Sequence, residues 1–278
     1  MEKIQSAIAK ARAERSAKSG GPSQAPSQAQ VTHRPRTAED ASHQTWDALP
    51  LIEPAVRRLW SQRIVTLEGG REATPFDKLR TRMLQQMRAH GWRRVAITSP
   101  GMNSGKTTIA LNLSFSLARQ AGSRVVLSEM DLRKPSIQRT LRVKTERDFA
   151  KVINGDAPFD DHGIRIRSNI ALGMLQRPMD NPAELLHNPN LAATLDVIEA
   201  QYDPSIMMFD MPPYQVSDDV MSFADKVDCV MIIAAAEYTK MSELDACERE
   251  LANVTNVLGV VLNKCRYDTN DGSSDYYS

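Results

Sequence analysis

The sequence predicts a doubly wound α/β fold, a mostly parallel sheet with helices on both faces, and three observations carry that prediction. Short apolar runs alternate with segments of helical periodicity from about residue 76 to residue 262. Within the runs, successive residues are apolar rather than alternate ones, as in Val95-Ala96-Ile97 and Ile206 to Phe209, which marks strands covered on both faces. A Gly-Lys-Thr-Thr sequence, 105–108, stands where the first run hands over to a helix. Strict alternation of strand and helix implies parallel pairing and right-handed crossovers.

The first 18 residues, rich in Ala, Lys, Arg and Glu, place Ile4, Ala7, Ile8 and Ala11 on one face and predict a modest amphipathic helix. Residues 19–45 replace apolar side chains with Gly, Pro, Ser and Gln, so they are expected to be a disordered linker. The folded domain is expected over 46–265. It opens with an extended arm from Trp46 to Gly70, followed by a helix from Phe76 to His90 behind Pro75. Strands are expected at Val95–Ile97, Ser123–Leu127, around Asn169–Leu175, at Ile206–Asp210, over 227–236 and at Val257–Leu262. Helices are expected at Ile109–Ala118, in short pieces over 136–158, from Asn181-Pro182 to beyond Ile198, and from an N-cap at Thr239 to Ala252.

The loop from Thr98 to Thr108 has the composition of a phosphate cradle. Gly105 lets the backbone approach an anion, successive N–H groups converge on its oxygens, and the helix end adds partial positive charge. Lys106 supplies a full charge, and Thr107 places a hydroxyl where Mg²⁺ would meet the β- and γ-phosphates. In the strict pattern, G-x-x-x-x-G-K-[ST], the first Gly stands five residues before Gly105. Pro100 occupies that place here and Gly101 follows one residue late, so the loop is a deviant form. Gly101, Asn103, Ser104, Gly105, Lys106, Thr107 and Thr108 are the candidate nucleotide-binding residues. Asn263, after the last strand, is a candidate for contact with the base.

Two further segments end strands in acids, and strand ends are where ligands gather in such sheets. The first is Glu129-Met130-Asp131 and the second Asp210-Met211-Pro212-Pro213. Asp210, closing four apolar residues, fits a carboxylate that reaches Mg²⁺ directly or through water. Thr107, Asp131 and Asp210 are the candidate metal-holding residues, and Lys106, Glu129, Asp131 and Asp210 the candidate catalytic ones.

Composition narrows the field. With 35 basic and 34 acidic residues, bulk charge does not favour nucleic acid. Three cysteines without paired spacing form no disulfide or zinc pattern, and Cys229 and Cys265, in or beside apolar runs, are expected to be reduced packing residues. No stretch approaches the roughly 20 apolar residues that cross a bilayer, which predicts a cytoplasmic chain whose membrane link is a partner. Three of the six tyrosines, Tyr267, Tyr276 and Tyr277, stand in the last polar residues, 266–278, where an exposed phenol is deliverable into another molecule's active site.

With these residues in view, the chain from about Thr74 resembles the bacterial tyrosine kinases that work with polysaccharide co-polymerases in capsule and exopolysaccharide export. The resemblance rests on Leu79-Arg80-Thr81, the loop to Thr108, Asp131-Leu-Arg-Lys-Pro135, Asn181-Pro-Ala-Glu-Leu-Leu186, Asp210-Met-Pro-Pro213, Val260-Val-Leu-Asn-Lys264 and the tyrosine tail. It implies ATP and Mg²⁺ as cofactors and phosphorylation of Tyr267, Tyr276 and Tyr277 between subunits. It also implies self-association and activation by a co-polymerase's cytoplasmic segment. Three departures stand out: Glu129 where that family has Asp, Thr74 and Asp77 where it often has a Glu and an Arg used in ring assembly, and a tail sparser in tyrosine. These leave a rival, a nucleotide-dependent switch of little kinase activity that regulates export by binding its partner. A positioning ATPase of the partition or division-site type is a further alternative. Such relatives normally carry a second lysine early in the loop, and Thr98 to Ser104 contains none.

Overall fold

The computed structural model describes residues 44–266. The expected N-terminal helix, most of the expected linker, and the tail with Tyr267, Tyr276 and Tyr277 lie outside the described residues.

Among the described residues seven strands form a single sheet: β1 (Arg94–Thr98), β2 (Val125–Glu129), β3 (Ile164–Ile166), β4 (Ile170–Gly173), β5 (Ile206–Asp210), β6 (Cys229–Ala235) and β7 (Asn256–Asn263). Their spatial order is β3-β4-β2-β5-β1-β6-β7. Every neighbouring pair is parallel except β3 with β4. From β1 the chain first builds toward β2 and β4 and later returns past β1 to add β6 and β7. Ligands in open α/β sheets bind in the crevice at such a reversal, beyond the carboxyl ends of the strands.

Alternate strand residues enter opposite layers. Val125 and Leu127 of β2, and Ile206 and Met208 of β5, face one core with α2 (Thr74–His90) and α3 (Lys106–Ala118); α1 (Val56–Ser61) adds Leu59. Val126 of β2 and Met207 and Phe209 of β5 face the other. Covering both faces explains why the strands lack polar alternation. Helix α3 carries buried Ile109, Leu111, Leu113, Phe115 and Leu117 around its circumference, so it is a core helix rather than an amphipathic one. Helix α2 begins with Pro75 in its first turn and ends at Gly91, whose φ of 71° is the left-handed cap that glycine favours.

The arm expected to be extended contains a helical turn over 44–48 and α1. Buried Asn112 on α3 pins the arm by donating to the Arg63 carbonyl at 2.9 Å and accepting from the Val65 N–H at 2.9 Å. The short helices after β2 are α4 (Ile137–Leu141), α5 (Ala150–Ile153) and α6 (Phe159–His162). The long helical region beyond Asn181 splits into α7 (Pro182–His187) and α8 (Pro189–Tyr202). Pro189 cannot continue a helix from within, and the Asn188 side chain caps the new one by accepting from the Asn190 N–H. Helix α9 (Asp219–Phe223) precedes β6, and α10 (Met241–Ala252) joins β6 to β7. Lys240 takes the N-cap position of α10 rather than Thr239, whose hydroxyl accepts instead from the Ala235 N–H at 2.8 Å. Cys229 and Cys247 are buried, and burial pushes both thiols up to about 12. Cys265, which lies two residues beyond the end of β7 rather than within the strand, is exposed.

Candidate active site

β1 ends at Thr98, and α3 begins at Lys106 at the carboxyl end of the sheet. The intervening loop is braced from inside and behind. Ser99 Oγ and Ser104 Oγ both donate to the Gly101 carbonyl, at 2.7 and 3.2 Å. The backbone N–H groups of Tyr214 and Gln215, in the segment after β5, donate to the carbonyls of Ser99 and Pro100. Pro100 therefore stands at a position whose carbonyl, not its missing N–H, holds the loop. Asn103 lies in the left-handed region at φ 60°, a conformation asparagine tolerates better than most residues.

Gly105 is required twice. Its φ of 92° is one that L side chains rarely adopt, and a Cβ there would meet Asn263 Nδ2 at 2.3 Å. That amide donates to the Ser104 carbonyl at 2.8 Å. The side chain expected to touch a base is thus engaged in clamping the phosphate loop against the end of β7.

Lys106, Thr107 and Asp210 converge. Lys106 is 8% exposed. Burial lowers the affinity of its amine for a proton, and the carboxylates of Asp210 and Asp131 oppose that shift. Thr107 Oγ1 donates to Asp210 Oδ2 at 2.6 Å. Asp210 is fully buried at the end of β5, in register with Ile97 of β1 and Glu129 of β2. Burial pushes its carboxyl up to about 7, although Thr107 and Lys106 pull the other way. Its second oxygen, Oδ1, is buried without a hydrogen-bond partner. An unpaired buried carboxylate oxygen beside a threonine hydroxyl and a buried ammonium is what a divalent cation and a phosphate would satisfy. The donor set, hydroxyl and carboxylate oxygens, suits Mg²⁺.

The two acids after β2 differ sharply. Glu129 is wholly buried, and its Oε1 accepts from the N–H groups of Ser136 and Ile137, the latter at 2.7 Å. Its Oε2 accepts from the Leu175 N–H at 2.9 Å. Both oxygens are therefore occupied by backbone at the start of α4 and the end of β4. Burial still raises its pKa. Asp131 is half-buried and accepts from the Lys134 N–H at 3.0 Å. Burial raises its pKa as well, and the nearby Lys106 charge lowers it.

Two residues outside the sequence-based set belong to this cleft. Ser136 Oγ lies 3.0 Å from Thr107 Oγ1. Asp219, buried at the start of α9, receives a two-pronged contact from Arg133 at 2.8 and 3.0 Å, which ties the loop after β2 to the segment after β5. Both sit where a helix begins, Ser136 after a proline and Asp219 after a second Asp. The sequence signal present was a helix start, with no indication of partners so distant along the chain. Thr108 lies half-buried in the first turn of α3.

A family model described as ParA, NUBPL iron-transfer P-loop NTPase, matches residues 93–277. EpsB of Ralstonia nicotianae, provisionally named a tyrosine-protein kinase, is 28% identical over 191 residues, 66% of this chain and 24% of that protein. The chain therefore spans about a quarter of that relative's length. Tyrosine-protein kinase CpsD of Streptococcus pneumoniae serotype 4 is 24% identical over 180 residues, 63% of this chain and 78% of CpsD. Among solved structures, the kinase domain of Escherichia coli tyrosine kinase ETK superposes with a TM-score of 0.65 at 20% identity, covering 71% of this chain and 78% of that one. Cobyrinic acid a,c-diamide synthase from Mycobacterium smegmatis, solved with an ATP analogue and magnesium, gives 0.51 at 17% identity, covering 62% and 74%. The chain belongs to the ParA family of P-loop NTPases and, within that fold, is similar to bacterial tyrosine-protein kinases.

Proposed function

We propose that the chain is an ATP-dependent tyrosine autokinase that phosphorylates Tyr267, Tyr276 and Tyr277 of a second copy and thereby regulates polysaccharide export. The observation that carries this reading is the convergence of Lys106, Thr107 and Asp210, with Asp210 Oδ1 left unpaired. Lys106 and the loop amides from Gly101 to Thr108 bind the β- and γ-phosphates of ATP. Thr107, Asp210 and Asp131 would hold Mg²⁺, which supplies neutralisation of the charge developing on the phosphoryl oxygens. A tyrosine oxygen attacks the γ-phosphorus in line; the bond from that phosphorus to the β,γ-bridging oxygen breaks, and its electron pair leaves with ADP. The phenolic proton passes to a carboxylate. Asp131 is the better base, because Glu129 has both oxygens committed to backbone N–H groups. Arg133, engaged with Asp219, braces the loop that carries Asp131. Asn263 acts on the nucleotide through the loop it clamps. The partner is a membrane co-polymerase, whose cytoplasmic segment would bring this cytoplasmic chain to the membrane; among the described residues no helix is long and apolar enough to cross one.

The switch reading has one observation in its favour, the diversion of Glu129 to a structural task. Incubation of the purified chain with ATP and Mg²⁺, with and without the co-polymerase segment, followed by phosphotyrosine detection and mass spectrometry, separates the two. Phosphate on the tail tyrosines that disappears in Lys106→Met supports the kinase. Nucleotide binding without phosphotyrosine leaves the switch.

A further inference from the structure

Thr107 has a single hydroxyl proton, and it points at the Asp210 carboxylate. The contact between Ser136 Oγ and Thr107 Oγ1 at 3.0 Å therefore has Ser136 as donor, since Thr107 has no proton left to give. Ser136 is itself fixed by its backbone, whose N–H donates to Glu129 Oε1. Although Ser136 occupies the N-cap position of α4, its side chain makes no capping bond there. It is turned into the cleft. Glu129 and Asp210 are register partners on adjacent strands, so the four residues form a closed circuit: Glu129 to Ser136 through backbone, Ser136 to Thr107, Thr107 to Asp210, and Asp210 back to Glu129 across the sheet.

With its proton directed to Asp210 and one lone pair accepting from Ser136, Thr107 Oγ1 keeps a single lone pair for a cation. We propose that Ser136 is a positioning residue, which fixes the direction in which Thr107 offers its oxygen to the divalent cation of a bound nucleotide. Glu129 is its anchor: the longer acid reaches the Ser136 and Ile137 N–H groups and holds the hydroxyl in the cleft. This inference rests on the reading of the cleft as a Mg²⁺-nucleotide site. Groups that hold a metal ligand in place typically change metal affinity by about 10- to 100-fold when removed.

The test measures binding rather than turnover. A fluorescent ATP analogue is titrated onto the full chain in EDTA and then across a Mg²⁺ series, for wild type, Ser136→Ala, Ser136→Gly and Ser136→Thr. Alanine and glycine both keep the N–H that Glu129 accepts from, so either serves if the other folds poorly. Affinity in EDTA is expected to agree within about twofold across the set, while the Mg²⁺ midpoint rises about tenfold in the alanine and glycine variants and returns to the wild-type value in threonine. A midpoint unchanged by loss of the hydroxyl overturns the proposal. So does an equal loss of affinity with and without Mg²⁺, which would make Ser136 a structural residue only. Failure of the wild-type chain to bind the analogue under either condition overturns the nucleotide reading itself, and this inference with it.

Discussion

Thr107 of α3 donates its hydroxyl proton to Asp210 of β5 at 2.6 Å, across 103 residues of sequence. The bond joins the helix that opens the phosphate loop to the strand beside β1. It leaves Asp210 Oδ1 as the free oxygen. Lys106, Thr107 and Asp210 are thus already gathered at one end of the sheet, the preorganisation on which electrostatic stabilisation of a ligand relies.

Lys106→Met should abolish nucleotide binding while the fold survives. The amine is buried and its proton affinity is already lowered by that burial, so replacing it with an apolar chain of similar length removes a desolvated charge. Equilibrium dialysis with labelled ATP is expected to show a loss of at least about 100-fold, because a charge-assisted contact of roughly 3 kcal/mol is removed. A thermal melt without ligand should be unchanged or higher. A lowered melting temperature would mean that the ammonium holds the loop rather than the phosphate.

Asp210→Asn should stabilise the ligand-free chain in a pH-dependent way. Burial raises the Asp210 carboxyl to about 7 in the folded state, above its ordinary value of 3.8. The folded chain therefore keeps a proton that the unfolded chain releases, so stability from this group is complete below about pH 4 and is lost as pH rises through about 7. Asparagine cannot ionise. The variant should match wild type near pH 4, gain steadily to pH 7 and then hold a constant advantage of about 2–4 kcal/mol. Melting curves from pH 4 to pH 8 check the shape. Added ATP and Mg²⁺ should stabilise wild type only, reversing the order.

Shortening the first acid, at the end of β2, should harm this chain. Glu129→Asp shortens the side chain by about one methylene and withdraws it from some of the three N–H groups it satisfies at Ser136, Ile137 and Leu175. Each buried donor left unpaired costs about 1–3 kcal/mol. Denaturant unfolding should show a loss in that range, and the phosphotyrosine yield should not rise. By contrast Asp131→Asn should leave unfolding near wild type and remove phosphotransfer. A gain of activity in Glu129→Asp would return the first acid to a catalytic role.

Much of this was legible in the chain because the signals were local. Val95 to Ile97, the Gly-Lys-Thr-Thr run and the apolar helix after it define a strand, a loop and a helix within 25 residues. Asp210 was legible because four apolar residues end at it. What stayed hidden depends on partners far apart. Nothing near Asn263 announces that its amide faces Gly105, 158 residues earlier by the numbering, and nothing near Ser136 announces Thr107. Glu129 reads as a ligand by position, yet its extra methylene lets it serve α4 and β4 instead. The three-residue strand β3 was hidden for another reason: Ile-Arg-Ile is too short to carry a period.

The last prediction concerns the clamp between β7 and the phosphate loop. Gly105→Ala meets two separate costs: a φ of 92° that alanine adopts only with strain, and a Cβ placed 2.3 Å from Asn263 Nδ2. The first is about 1–2 kcal/mol and cannot be relieved from outside the residue. The second is relieved by shortening Asn263, whose own removal sacrifices the bond to the Ser104 carbonyl, worth about 1 kcal/mol. A double-mutant cycle of Gly105→Ala and Asn263→Ala resolves them. The two changes together should destabilise by less than the sum of the singles, and the shortfall is the clash. The strain left in the double variant should still appear as weakened nucleotide binding. Strict additivity in chemical unfolding would show that Asn263 does not press on the loop, and its amide would then be free for a base after all.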